Sequence, residues 1–151
     1  MKNPFRRILV PHDFSRHATA ALRTATELAK RHGGRLLVLH AITPVVPLVE
    51  APTMMAAPVL LPVELVSDAK RELAKEVRRV VGDRVPVRMR VQVGDAYHRI
   101  LEAAKQADVI VMSTAGRTGL AHLLIGSVAE KVVRHSPIPV LTLRTRSHAR
   151  R

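Results

Sequence analysis

The chain is 151 residues long, has no cysteine, and sets 25 Lys and Arg against 12 Asp and Glu, a formal charge of +13 at pH 7. That length and a 47% hydrophobic composition fit one domain with a substantial core, and the missing thiols exclude disulfides and thiolate metal sites. The basic charge attracts polyanions, but two Phe, one Tyr and no Trp exclude the aromatic platforms on which single-strand binders stack bases, so specific nucleic-acid recognition is not expected.

Met1-Lys2-Asn3-Pro4-Phe5 lacks the order of a signal peptide, which predicts a cytoplasmic protein, and it leads into a strand, Ile8-Leu9-Val10, closed by Pro11. Asp13 follows, placed either to accept hydrogen bonds from a ligand or to cap the next helix, a role also open to Ser15. Ala18, Ala21, Leu22, Ala25, Leu28 and Ala29 recur on one helical face, and Gly33-Gly34 ends that helix. Leu36 to Ala41 is a continuous apolar run with His40 near its end, the pattern of a parallel strand covered on both faces. Residues 43–62 are almost uncharged and hold Pro44, Pro47, Pro52, Pro58 and Pro62, too many for a membrane helix. With Met54 and Met55, this segment is expected either to pack over the sheet or to face a protein partner.

Val66, Ala69, Leu73, Val77 and Val80 predict a second helix. Val85, Val87, Met89, Val91 and Val93 alternate with Arg88, Arg90 and Gln92 as in a half-exposed strand, and Pro86 assigns it to a sheet edge. Gly94-Asp95 opens a third helix with Ile100, Ala103, Ala104 and Ala107 inward, ahead of a buried strand, Val109-Ile110-Val111-Met112. Ser127 with Glu130 three residues on predicts a helix start closed by a capping box, and Ser136-Pro137-Ile138-Pro139 breaks that helix after His135. Val140-Leu141-Thr142-Leu143 is the last strand. Arg144, Arg146, His148, Arg150 and Arg151 form a basic end, so one domain over 1–146 and a tail over 147–151 are expected. Five strands alternating with four helices predict a doubly wound parallel sheet with right-handed crossovers.

Between the fourth strand and the fourth helix runs a glycine-spaced loop, from Ser113-Thr114-Ala115-Gly116-Arg117-Thr118-Gly119 to Ile125-Gly126-Ser127. Glycines let an anion approach the backbone, and a helix N-terminus offers unpaired N–H groups and a positive dipole end. The loop is neither Gly-x-Gly-x-x-Gly after the first strand nor a Walker sequence. Two readings remain: an ordinary long loop with glycines at its turns, or an arrangement of the mononucleotide kind, in which Gly116 and Gly119 permit tight turns while Gly126 and Ser127 put backbone N–H groups and a hydroxyl at a helix start. If the first and fourth strands are neighbours, Asp13 and this loop share one cleft at the carboxyl end of the sheet. The eight His show no His-x-x-x-His pair; His12 and His40 read as strand-end residues near the cleft, and no metal site is expected. Ser113 and Ser127 have no triad partners, and no base for a γ-phosphate is identifiable, so any turnover is expected to be slow.

In combination, Val10-Pro11-His12-Asp13-Phe14-Ser15, Val93-Gly94-Asp95, Gly116-Arg117-Thr118-Gly119 through Gly126-Ser127, and Pro137-Ile138-Pro139-Val140-Leu141 resemble the universal stress protein family over nearly the whole chain. The resemblance implies a Rossmann-like stress-response domain with strand order 3-2-1-4-5 that binds ATP or AMP, Mg accompanying the phosphates, and dimerises through its last strand. It places the nucleotide at Pro11, Asp13, the main chain near Ala41, Met112, Ser113, Gly116, Arg117, Gly126, Ser127 and Val128. The family's phosphate loop is Gly-x-x-Gly, nine residues, then Gly-Ser or Gly-Thr, which this chain meets from Gly116 to Ser127. Ser113 stands at the first glycine position, and Ala115 where many members carry histidine. That departure keeps open a dimeric interaction protein that acts through residues 43–62 without a nucleotide; a slow ATPase is a further alternative. Independently of the resemblance, residues 140–143 would leave an apolar sheet edge that a second copy can cover symmetrically.

Overall fold

In the computed structural model, which describes residues 3–44, 63–115 and 126–144, the apolar runs become β1 (Arg7–Pro11), β2 (Arg35–Ile42), β3 (Val87–Val93), β4 (Val109–Ser113) and β5 (Val140–Leu143). The amphipathic segments become α1 (Arg16–His32), α2 (Val63–Val80), α3 (Ala96–Ala104) and α4 (Ser127–His135). The segment at 45–62, Gly116, Arg117 and the tail from 145 lie outside the described residues. The strands form one parallel sheet in the order β3-β2-β1-β4-β5.

Alternate side chains of each strand serve two cores. Ile8, Val10, Leu36, Val38, Val109 and Val111 meet Leu22, Ala25 and Ala29 of α1 and Leu73, Val77 and Val80 of α2. Leu9, Leu39, Ile110 and Met112 meet Ile100, Ala103 and Ala104 of α3 and Ala129 and Val132 of α4 on the opposite face. The helices therefore change sides between α2 and α3, which makes the sheet doubly wound. Among the described residues no helix is long and apolar enough to cross a membrane.

β3 is an edge strand, and it begins at Val87, not Val85. Val85 is buried ahead of it, and the Pro86 carbonyl accepts the Leu36 N–H at 2.9 Å. Ser15 caps α1 by accepting the Ala18 N–H at 3.1 Å, and Asp95 caps α3 through the His98 N–H at 3.0 Å. Gly33 ends α1 in the left-handed conformation, φ 61°, where a Cβ is penalised.

Gly34 is required for a different reason: a Cβ there would collide with the Phe5 carbonyl oxygen, where the N-terminal segment crosses the α1–β2 turn. Gly34→Ala is expected to destabilise the fold by about 1–3 kcal/mol, the range of forced overpacking. Urea denaturation measures this, and an unshifted midpoint would refute it.

Candidate functional site

β1 and β4 are hydrogen-bonded neighbours, Ile8 opposite Val109 and Leu9 opposite Ile110. From their carboxyl ends the chain departs in opposite directions, toward α1 on one face and α4 on the other, which opens a crevice between them. The hollow has a volume of about 310 Å³, within the usual range for small-molecule sites. Pro11, Asp13, Ala41, Met112, Ser113, Gly126, Ser127 and Val128 all line it, so the two stretches named from the sequence meet. Gly116 and Arg117 lie outside the described residues.

The hollow also has walls that sequence reasoning assigned elsewhere. Ile100 and Ala18 carry helical periodicity, which marks a residue as inward but does not distinguish core from the wall of a cleft; Leu39 and Ala96 complete the apolar lining. The rim is fixed by backbone bonds. Thr114 N–H donates to the Leu143 carbonyl at 3.1 Å, and Gly126 N–H returns to the Thr114 carbonyl at 2.7 Å. These bonds bring the two ends of the glycine loop together across β4 and β5.

The expected capping box at Ser127 does not form. Ser127 is the first helical residue, Gly126 occupies the cap position, and no side chain bonds to the first-turn amides. The Gly126–Thr114 bond fixes this phase by turning the chain into the helix one residue before the Ser-x-x-Glu spacing would. Ser127 is exposed at the mouth of the hollow instead. At the other end of the loop, Ser113 Oγ accepts the Ala115 N–H at 3.1 Å, forming a local side-chain turn that occupies one amide.

Asp13 does not cap α1, a role that Ser15 takes. Its Oδ1 accepts the Ser15 N–H at 3.0 Å, which holds the carboxylate half-buried on the cleft wall. His12, between Pro11 and Asp13, turns the other way. Its Nδ1 accepts the Phe14 N–H at 3.2 Å, so the proton of the neutral ring sits on Nε2. Nε2 is buried without a hydrogen-bond partner, 3.7 Å from Glu76 Oε1. Glu76 in turn accepts the Thr19 hydroxyl at 2.5 Å and a guanidinium N–H of Arg79 at 2.6 Å. Phe14 adopts φ 64°, a strained value for a bulky residue, and its ring centroid lies 4.3 Å from that of His40. His40 Nδ1 bonds the His12 carbonyl at 2.8 Å. The long-range members of this set are not visible in local spacing, because Thr19 and Glu76 are 57 residues apart and His40 and His12 are 28 apart. Among the described residues no cluster of three metal-ligating side chains occurs.

Fold and hollow together define a Rossmann-like α/β domain with a cleft at its topological switch point. The chain belongs to the universal stress protein family, whose sequence model matches residues 4–144. It is 36% identical over 146 residues to a universal stress protein of Thermus aquaticus, covering 93% of this chain and 99% of the relative. Universal stress protein UspA from Lactobacillus plantarum superposes with a TM-score of 0.69 at 28% identity, covering 95% of this chain and all of that one. Two further structures share the fold: an Archaeoglobus fulgidus universal stress protein in complex with dAMP and a universal stress protein in complex with cAMP. Their TM-scores are 0.67 and 0.62, their identities 22% and 23%, and each covers 92% of this chain, against 98% and 96% of theirs.

Burial pushes the His12 imidazole below its ordinary value of 6.5, only partly opposed by Glu76. Burial also works against the Glu76 carboxylate, but Arg79 and Thr19 outweigh it and hold Glu76 below the usual range. Both shifts have one sign: the unfolded chain takes up protons before the folded one, so stability falls as pH drops below 6.5. His12→Asn, which keeps an acceptor near Phe14, is expected to flatten the upper part of that fall. Urea midpoints measured at a series of pH values test this, and an unchanged pH profile would refute it.

Proposed function

We propose that this chain binds an adenine nucleotide, ATP or AMP, in the cleft, and acts as a homodimeric stress-response regulator whose occupancy sets its conformation or contacts. The observation that carries the reading is the convergence of Asp13 with Gly126 and Ser127 on one hollow. The bond from Ser15 orients the Asp13 carboxylate, a group with several acceptor sites, toward the adenosine hydroxyls or amine. The uncapped first turn of α4 offers N–H groups and a dipole to the phosphates, with Gly116 and Arg117 contributing from the same loop and Mg arriving with the phosphates. Leu39, Ala41, Ile100, Met112 and Val128 supply apolar surface for the base. The dAMP and cAMP complexes of structural neighbours support the ligand class.

Calorimetry on nucleotide-free protein tests the reading: ATP or AMP binds, and Asp13→Ala weakens it by about tenfold or more, the loss expected for a hydrogen-bonded charge. Absence of binding to the wild-type protein would sink it. One observation favours the rival reading, a family member that works without a nucleotide: Ser113 already takes the Ala115 N–H. If the cleft is a nucleotide site, Ser113→Gly releases that amide and tightens binding; under the rival reading neither protein binds, and heat-treated fresh protein releases no adenine absorbance.

For the dimer, β5 lies at the sheet edge with Leu141 37% exposed, and Val133 on the adjacent α4 is 47% exposed. Pairing of β5 with its symmetry mate covers both the unpaired backbone and these side chains. Leu141→Arg is expected to convert the dimer to monomer in sedimentation equilibrium, and an intact dimer would count against this interface.

A further inference from the structure

At the opposite end of the sheet from the cleft, on its α3 face, lies a second hollow of about 240 Å³. Four arginines from three strands surround it: Arg7 of β1, Arg35 of β2, and Arg88 and Arg90 of β3. The register explains their convergence. Arg7 is directly opposite Arg35, while Arg88 and Arg90 are opposite Leu37 and Leu39, so all four side chains project from the same face. Arg88 and Arg90, two residues apart on one strand, are about 6.6 Å apart, and Arg7 and Arg35 sit on strands about 4.8 Å apart. Like charges directly opposite in a sheet repel each other.

Little in the described structure relieves that repulsion. Asp108 pairs with Arg7 at 2.7 Å and is the only carboxylate within ion-pair distance of any of the four among the described residues. Arg90 is held at 2.7 Å by the amide oxygen of Gln106, which positions the guanidinium and leaves its charge intact. Two guanidiniums are therefore fixed, and Arg35 and Arg88, both exposed, stand beside them. Leu37 and Ala107 give the hollow an apolar floor, and no aromatic side chain lines it.

We infer that this hollow is a second anion site that takes a short phosphate chain, inorganic or carried on a small molecule. Guanidinium forks match phosphate oxygens two at a time, and several of them at fixed spacing suit adjacent phosphate groups. The hollow is compact, and without aromatic lining it has no platform for unstacked bases, which disfavours single-stranded nucleic acid as occupant. The inference does not rest on nucleotide binding at the cleft, because the two hollows share no residue.

The test is a titration of the full chain with inorganic tripolyphosphate, followed by calorimetry and by amide NMR. Binding is expected to shift the amides of Arg88, Gln106 and Ala107 and to weaken with added salt. Shifts at Ala115 and Gly126 report the cleft separately, so the two sites succeed or fail independently. Arg35→Gln with Arg88→Gln is expected to weaken binding at the arginine hollow by about tenfold or more, and the single change Arg88→Lys to keep part of it. Shifts confined to the cleft amides, a loss smaller than tenfold in the double variant, or tighter binding of a single-stranded RNA oligonucleotide than of tripolyphosphate would each overturn the inference.

Discussion

The pairing of β1 with β4 governs the geometry of the rest of the molecule. Each other neighbouring pair in this sheet is joined by a single crossover, so its connecting helix covers its own face. Here the chain runs outward from β1 through β2 to β3 and then returns past β1 to β4, which forces the helices onto opposite faces. Neither set of helices can close over the carboxyl ends of the central pair. The cleft is thus a requirement of the topology, and the side chains of Asp13, Met112 and Ser127 line it.

The β1 side of this cleft is stiffened from beneath. Phe14 holds a backbone conformation that costs on the order of 1–3 kcal/mol for a bulky residue. It persists because its N–H is tied to the His12 ring, its own ring packs on His40, and the His40 ring bonds the His12 carbonyl. The bend directs Asp13 into the cleft and turns His12 inward toward Glu76.

Much of this architecture is legible in the sequence because it is written in periodicity. The parallel strands buried on both faces appear as unbroken apolar runs, the helices as inward alanines and leucines, and the boundaries of α4 and β5 as a glycine, a Ser-Pro-Ile-Pro break and a charge. The cleft residues at strand ends and beside the glycine loop are legible through that place, while Ala18, Leu39, Ala96 and Ile100 are not, because periodicity marks them only as inward. Contacts between side chains far apart in the chain are not, which is why the Thr19–Glu76–His12 set and the arginines of three strands emerge only from the fold. Ser127 misleads for a related reason. The Ser-x-x-Glu spacing describes a side-chain-capped helix start in isolation, whereas here the helix does start at Ser127 but Gly126, bonded through its N–H to the Thr114 carbonyl, takes the cap position.

The missing side-chain cap has a thermodynamic corollary. A serine, threonine or aspartate side chain at a helix cap contributes about 1 kcal/mol, and the cap of α4 is Gly126, which has no side chain to supply it. At nine residues the helix is too short to be stable on its own propensity, so it depends on Ala129 and Val132 against the sheet and on whatever accepts hydrogen bonds at its first turn. An acceptor held there serves as the missing cap. Under the proposed reading, filling the cleft and steadying α4 would therefore be two readings of a single equilibrium.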